Sequence, residues 1–374
     1  MKKQDFPELE EVYLDSACMS LRPEQVIEAV QEYYTGYPAC PGRGNHRLSE
    51  KATGKMEEAR EKIAGFIDAG KDNIILTSGT TEGINTVARG FDPERVLLSD
   101  IEHNSNLAPW QRSQSQVVTI AGDSLLDRLE NEVQPGDLIS LVHVSNLDGR
   151  EHPVSEAANI ARENDAYLMV DAAQSIPHRP FSVEEVRADF VAFSGHKMLG
   201  PSGTGALYVS DRVQDQLEPL KTGGGAVTDS TYSSHESKNF PHGHEPGLPN
   251  VAGVIGLGAA VDYLEDIGME TVEEHERDLT NILYNGLDSI EAVENVGSRA
   301  PGVVSFRIGD LEANQVALML DQRDIAVRAG MHCVHSWFNS YDERPTVRAS
   351  LHLYNDRQDI NRFLNALREI SKLA

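Results

Sequence analysis

Two short segments of the chain place an acid and a lysine where both could act on one ligand. Asp171 follows the apolar run at residues 167–170, and Lys197 comes shortly after the apolar run at residues 189–193. Short apolar runs of this kind are typical of buried parallel strands. Because ligands of an open α/β sheet bind beyond the carboxyl ends of its strands, we expect both side chains to face one crevice.

An acid and a lysine in one crevice have the chemistry that a pyridoxal phosphate ring requires. A carboxylate can keep the pyridine nitrogen protonated, which makes the ring an electron sink, and a lysine amine can form a Schiff base with the aldehyde. Gln174, Ser194 and His196 lie close in sequence and would contact the ring and its phosphate. The alternative is that Lys197 is a solvated loop lysine and that Asp171 caps a helix.

Three further segments follow strand-like runs and carry polar residues. The turn at residues 78–83, Ser-Gly-Thr-Thr-Glu-Gly, could present N–H groups and hydroxyls to a phosphate at the start of a helix, although most such turns only cap a helix. The runs at 95–99 and 138–144 lead to His103 and Asn146. Considered alone, His103 is an ordinary loop histidine, and Asn146 is as well explained as a turn residue.

In combination, these motifs resemble the class V group of fold-type I pyridoxal-phosphate enzymes, and most of all the group II cysteine desulfurases. The resemblance is carried by residues 170–209 and extends from Tyr-Leu-Asp-Ser-Ala at 13–17 to the last helix. Enzymes of that group take sulfur from L-cysteine and leave alanine. The resemblance implies that Thr80 and Thr81 hold the cofactor phosphate. It also implies that His103 stacks on the ring and moves protons, and that Asn146 binds the ring's 3-oxygen.

The resemblance assigns the substrate end of the site to two segments near the C-terminus. Residues 326–333 end in Cys333, which would be the nucleophile on a mobile loop, and His332 beside it could help to lower its pKa. Arg348, supported by Arg328, would hold the substrate carboxylate, which suits the planar fork of arginine, although a surface ion pair is the commoner role. Fifteen residues separate Cys333 from Arg348. Such a short loop is typical of group II members, which pass sulfur to a dedicated acceptor protein.

The chain departs from the family pattern at two places. Leu248 stands where a threonine usually reaches across the dimer to the neighbour's cofactor phosphate, and leucine cannot donate that hydrogen bond. Directly after Cys333 the family usually has alanine, then glutamine or methionine, then proline, where this chain has Val-His-Ser at 334–336. Met331 stands where a histidine is common. The first departure removes one expected phosphate contact, and the second bears on desulfuration rather than on cofactor binding.

Length and composition agree with a large α/β enzyme. The 374 residues can bury a large core, and apolar runs alternate with helical segments. We predict a large cofactor-binding domain at 13–258 with a mostly parallel sheet. A smaller α+β domain is predicted at 259–374, joined by the N-terminal segment 1–12. The resemblance implies a homodimer.

Charge and cysteine content exclude several other classes of protein. The net charge of −26 makes nucleic-acid or anionic-membrane binding unfavourable. Neither a long apolar run nor a signal-peptide core is present, so we expect a cytoplasmic protein without membrane contact. Cys18, Cys40 and Cys333 lie far apart in the sequence, which predicts neither a disulfide framework nor a metal site. An isolated cysteine is usually a small buried hydrophobe.

Three functions compete at this point. The first is a cysteine desulfurase, and the second is another pyridoxal-phosphate reaction on the same scaffold, such as selenocysteine or cystine lysis or transamination. The third is a non-catalytic interaction protein that keeps the fold. Lys197 argues against the third, and Cys333 favours the first over the second.

Overall fold

The computed structural model describes residues 3–42, 44–122 and 124–373. In these residues the strands are β1 (Val12–Tyr13), β2 (Ile74–Thr77), β3 (Arg95–Ser99), β4 (Gln116–Ile120), β5 (Leu138–Val142), β6 (Tyr167–Asp171), β7 (Phe190–Ser194), β8 (Gly205–Val209), β9 (Val227–Ser230), β10 (His235–Ser237), β11 (Val293–Val296), β12 (Val303–Ile308), β13 (Ile325–Ala326), β14 (Arg328–Gly330) and β15 (Thr346–Ser350). The helices are α1 (Glu24–Gly36), α2 (Arg47–Gly65), α3 (Thr80–Gly90), α4 (Ala108–Arg112), α5 (Leu125–Glu132), α6 (Val154–Glu163), α7 (Val183–Val186), α8 (Val251–Ile267), α9 (Met269–Asp288), α10 (Ala313–Asp321), α11 (His335–Tyr341) and α12 (Arg357–Ile370). None of the helices in the described ranges is long and apolar enough to span a bilayer.

The larger sheet has the strand order β2-β8-β7-β6-β5-β3-β4, in which only β8 runs antiparallel to its neighbours. Every residue of β5 and β7 is buried, as expected for parallel strands covered on both faces. Two apolar clusters, one on each face of the sheet, form the core of this unit. The α/β class predicted from the alternation of apolar and helical segments is confirmed.

A second, four-stranded antiparallel sheet with the order β11-β12-β15-β14 belongs to the C-terminal part of the chain. Its apolar face packs on α9, α10 and α12 in a separate cluster that includes Val12 and Leu14 from the N-terminal segment. Strand β1 also pairs in parallel with β13. These contacts support the proposal that the N-terminal segment joins the smaller unit.

The proposed boundary between the two units needs a small adjustment. Residues 258 and 259 lie inside α8, and α8 packs against α1 and α2 of the larger unit. Gly268 ends α8 in a left-handed conformation, with φ at +86°, and α9 begins immediately after it. We therefore propose the same two units with the boundary at Gly268, where glycine allows the change of direction.

A buried charged cluster joins the two units. Glu276 of α9 lies 2.9 Å from Nδ1 of His178, which follows β6, and 3.0 Å from Nδ1 of His352, which follows β15. Burial opposes the charge on Glu276, yet the two histidines lower the pKa of the carboxyl group to about 2. This cluster holds the C-terminal end of β15 against the segment that follows β6, and thereby brings the two halves of the site together.

Candidate active site

One cavity of about 260 Å³ lies beyond the carboxyl ends of β5, β6 and β7 and is closed on one side by segments of the smaller unit. All twelve site residues expected from the sequence line it: Thr80, Thr81, His103, Asn146, Asp171, Gln174, Ser194, His196, Lys197, Arg328, Cys333 and Arg348. They come from eight separate chain segments, and the packing of the two units brings them together.

Asp171 and Lys197 lie at the floor of this cavity. Asp171 is the last residue of β6, is buried, and accepts a 3.0 Å hydrogen bond from the backbone N–H of Ala173. Burial raises the pKa of its carboxyl group, and the nearby Lys197 opposes this. Burial lowers the pKa of Lys197, Asp171 raises it, and Arg348 lowers it, with a net shift downward. The lysine therefore has more of the neutral amine that nucleophilic attack requires.

A group of hydroxyls surrounds the start of helix α3. The Ser194 Oγ accepts a 2.8 Å hydrogen bond from the Thr80 N–H and lies 2.7 Å from the Thr80 hydroxyl. The Thr81 hydroxyl lies 2.8 Å from the hydroxyl of Ser105. Gly79, at φ +141°, brings the backbone so close that a Cβ there would lie 3.0 Å from the Ser194 Oγ. Hydroxyls and free N–H groups at a helix start suit a phosphate group.

The other polar residues of the cavity have unused hydrogen-bonding capacity or are held in place by their neighbours. His103 accepts a 3.0 Å hydrogen bond from the Ser105 N–H at Nδ1, which leaves its other ring nitrogen to carry the proton. Gln174 donates to the Ala17 carbonyl at 2.7 Å, and its buried Oε1 has no hydrogen-bond partner among the described residues. An unpaired buried acceptor of this kind favours a ligand that donates to it.

Three histidines at the cavity are held neutral. Burial, reinforced by Lys197, lowers the pKa of His103 to about 3 and that of His196 to about 4. Burial, reinforced by Arg348, lowers the pKa of His332 to about 2. At neutral pH their imidazoles can accept or donate hydrogen bonds without adding positive charge.

These shifts predict a loss of stability in acid. Between pH 6.5 and about 3 the unfolded chain binds a proton at His103 that the folded chain does not, so the free energy of unfolding falls as the pH falls. Each such proton contributes a slope of up to about 1.4 kcal/mol per pH unit. We expect His103→Gln to reduce the slope between pH 6 and 4, measured by denaturant unfolding of the cofactor-free protein. The exposed His235→Gln is the matched control, and an equal slope in all three proteins would contradict the prediction.

The two arginines of the substrate end lie side by side on neighbouring strands. Arg328 of β14 and Arg348 of β15 are directly paired in register, and Asp15 accepts hydrogen bonds from both, at 2.7 and 3.2 Å. Arg348 is buried and also donates to the Asn146 carbonyl at 2.9 Å. Its buried Nε has no partner in the described part of the chain, which favours an anionic ligand at this position.

Cys333 lies on the loop between β14 and α11, with its side chain exposed. His332 and Cys333 both have left-handed backbones, with φ at +49° and +59°, a conformation that costs a non-glycine residue about 1–3 kcal/mol. Three hydrogen bonds hold these two residues. The Asn146 side chain donates to the His332 carbonyl at 2.7 Å, and the His332 ring bonds the Thr346 hydroxyl at 2.8 Å. The Asn104 N–H donates to the Cys333 carbonyl at 2.7 Å. Burial lowers the pKa of His332, so its imidazole beside the thiol is neutral. The predicted help of this histidine to the Cys333 thiol stays a prediction.

A model of the family described as aminotransferase class-V matches residues 12–363 of the chain, which is nearly its whole length. The chain belongs to the aminotransferase class-V family. This confirms the family resemblance and the fold-type I architecture that the motifs predicted.

Among class V relatives, a cysteine desulfurase of Haloferax volcanii is 38% identical over 95% of this chain and 88% of its own length. A solved apo cysteine desulfurase of Thermococcus onnurineus is 37% identical with a TM-score of 0.96, covering all of this chain and 98% of that one. The cysteine desulfurase CsdA of Escherichia coli is 30% identical with a TM-score of 0.93, covering 99% and 98% of the two chains.

The cofactor of the class V family is pyridoxal phosphate, and the residues of the cavity fit it. The lowered pKa of Lys197 suits covalent attachment to an aldehyde, and Asp171 can face the ring nitrogen. The orphaned Gln174 Oε1 and the hydroxyls of Thr80 and Ser194 leave polar atoms for the ring substituents and the phosphate.

Sequence reasoning missed three residues of the candidate site: Cys18 and Ser105, which line the cavity, and Asp15, which contacts two residues that line it. Asp15 pairs with both arginines, and Ser105 bonds both Thr81 and His103. The interpretation of Cys18 as a buried hydrophobe is wrong, because its half-buried thiol lines the cavity and accepts a 2.7 Å hydrogen bond from Arg328. The signal available in the sequence was the family-like segment at 13–17, which directly precedes Cys18.

Proposed function

We propose that the protein is a pyridoxal-phosphate-dependent cysteine desulfurase. It removes sulfur from L-cysteine, leaves L-alanine, and carries the sulfur as a persulfide on Cys333. The observation that carries the proposal is that one cavity joins Lys197, Arg348 and Cys333: an amine, a carboxylate-binding group and a thiol. The relatives named cysteine desulfurases at 30–38% identity support it.

Each end of the cavity would hold a different part of the reacting system. Lys197 would attach the cofactor, Asp171 would face its ring nitrogen, and His103 would cover its face. Asn146 and Gln174 would contact the ring substituents. The phosphate would lie at the start of α3, within reach of Thr80, Thr81, Ser194 and His196. When bound, pyridoxal phosphate supplies an electron sink for the negative charge left at the substrate's α-carbon.

The protein's own groups then divide the work on L-cysteine. The Arg348 guanidinium binds the substrate carboxylate with its unpaired Nε–H, and Arg328 adds positive charge beside it. Lys197, with its lowered pKa, removes the proton from the α-carbon. The Cys333 thiolate attacks the substrate sulfur, so that a sulfur–sulfur bond forms while the carbon–sulfur bond breaks. His103, whose imidazole burial keeps neutral, would exchange a proton near the departing sulfur.

Two of the residues that depart from the family pattern near Cys333, Val334 and Met331, have a structural role in this chain. Val334 is buried and packs with Phe338, Ile101, Val142 and the partly buried Met331 in one small apolar cluster. This cluster anchors the base of the Cys333 loop to the ends of β3 and β5. The apolar replacements therefore fit a loop that is held at its base while its thiol is exposed.

The direct test of the proposed function is incubation of the cofactor-loaded protein with L-cysteine. We expect equal rates of L-alanine release and of sulfur transfer to an added thiol, and one extra sulfur atom on Cys333 before the thiol is added. Release of sulfide and pyruvate, or conversion of cysteine to a keto acid, would instead favour a lyase or an aminotransferase. No reaction with L-cysteine, L-selenocysteine or L-cystine would favour an interaction protein.

Replacement of Arg348 should separate substrate binding from cofactor binding. We expect Arg348→Ala to raise the KM for L-cysteine about 10²-fold or more, because a hydrogen-bonded ion pair with the carboxylate is lost. Affinity for pyridoxal phosphate, followed by absorbance, should change much less. Arg344→Ala, an exposed arginine four residues earlier, is the control. Equal loss of substrate and cofactor affinity in Arg348→Ala would show that the residue is structural.

We also propose that the enzyme is a cytoplasmic homodimer that passes sulfur to an acceptor protein. A contact with a second copy is supported by two exposed features. Leu248 is 69% exposed, and the hairpin of β9 and β10 is exposed and carries Tyr232 near its tip. The exposed thiol of Cys333 supports transfer to an acceptor. Sedimentation of the purified protein would test the dimer.

A further inference from the structure

Two thiols, Cys18 and Cys333, line the same cavity. They are 315 residues apart in sequence and come from opposite ends of the chain, Cys18 from the segment after β1 and Cys333 from the loop before α11. Cys333 is exposed, and Cys18 is half-buried. The two thiols therefore share one space.

The surroundings of Cys18 favour a reactive sulfur. Nη2 of Arg328 donates a hydrogen bond to its Sγ at 2.7 Å, so a cationic donor lies directly against the sulfur. Arg348, which is buried and paired in register with Arg328, adds a second positive charge near the sulfur. Such an electropositive, partly exposed setting is typical of reactive rather than of structural cysteines.

The backbone holds Cys18 in a fixed place relative to the reacting groups. Its N–H donates to the Asp15 carbonyl at 3.0 Å. The preceding residue, Ala17, donates to the Ser350 hydroxyl at 2.9 Å and accepts from the Gln174 amide at 2.7 Å. The thiol is thus supported by both structural units, as is required of a group that receives an atom at a defined position.

We propose that Cys18 is a second sulfur-carrying thiol that accepts the outer sulfur atom from the Cys333 persulfide. This rests on the proposed desulfurase function. The Cys18 thiolate attacks the outer sulfur, so that a bond forms between Cys18 Sγ and that atom while its bond to Cys333 Sγ breaks. Cys333 leaves as a thiolate and takes up the proton that the Cys18 thiol released. No atom is oxidised or reduced overall, and Cys333 is free to attack a second substrate.

Stoichiometry and sulfur location test the relay. The cofactor-loaded enzyme receives L-cysteine without an acceptor, and its thiols and persulfides are then alkylated with iodoacetamide and located by peptide mass spectrometry. We expect extra sulfur on both Cys333 and Cys18, and about two equivalents of alanine per active site in the first burst. Cys18→Ser should reduce the burst to about one equivalent, and Cys333→Ser should leave Cys18 without extra sulfur.

Cys40 provides the matched control, because it is an exposed cysteine that does not line the cavity. It should carry no extra sulfur, and Cys40→Ser should keep the burst of two equivalents. The relay is overturned by extra sulfur on Cys333 alone, by equal labelling of Cys40 and Cys18, or by labelling of Cys18 in Cys333→Ser. Because the labelling is measured on the parent enzyme, it decides the question even if Cys18→Ser fails to fold. Absence of alanine would overturn the desulfurase function and the relay together, whereas alanine with sulfur on Cys333 alone overturns only the relay.

Discussion

Lys197→Ala is expected to abolish the formation of alanine from L-cysteine, with a fall in rate of at least about 10³-fold. The residue has two tasks in the proposed reaction, covalent attachment of the cofactor and removal of the α-proton, and alanine can perform neither. Desolvation lowers the pKa of this lysine although Asp171 opposes the shift, which favours the neutral amine that both tasks require. The purified parent should be yellow, and the variant should lose both the covalent attachment and the corresponding absorbance band.

The control for this experiment is Lys55→Ala, which removes an exposed lysine that pairs with Glu58 on helix α2. Its activity and colour should match those of the parent. Borohydride reduction of the parent followed by peptide mapping should place the cofactor on Lys197. An unchanged spectrum in Lys197→Ala, together with a reducible adduct on another lysine, would show that the assignment is wrong.

Cys333→Ser is expected to separate cofactor chemistry from sulfur transfer. The residues proposed to hold the cofactor and the substrate carboxylate do not include the thiol, so L-cysteine should still change the cofactor spectrum. Alanine formation should fall about 10³-fold, because a hydroxyl at neutral pH is a far poorer nucleophile toward sulfur than a thiolate. Initial rates of alanine release and single-turnover spectra would measure the two effects.

Cys40→Ser should react at the parent rate and serves as the control for the loss of a cysteine as such. If the Cys333→Ser variant released alanine or sulfide at the parent rate, the thiol would not be the nucleophile. A lyase reaction, in which Cys333 is incidental, would then be the better account of the site.

The strands that lead to the site lie close to the apolar runs that predicted them. Strand β3 occupies the run at 95–99, β6 extends the run at 167–170 by one residue, and β7 is shifted by one residue from the run at 189–193. The run at 138–144 is longer than β5, which ends at Val142. Residues 143 and 144 are also buried, so hydrophobic pattern alone does not mark where this strand ends.

The sequence by itself determined which residues can perform the chemistry, because catalytic motifs lie directly after apolar strands and strand ends converge in a parallel sheet. Asp171, Lys197 and the hydroxyls of the 78–83 turn are local to such ends, so their positions follow from local pattern. Only the tertiary structure decided which distant segments complete the cavity. Asp15 and Cys18 meet Arg328 and Arg348 because β1 pairs with β13 and the smaller unit folds back on the larger one. The charge state of the histidines could not be predicted from the sequence either. It depends on how far burial in the folded protein removes each imidazole ring from water.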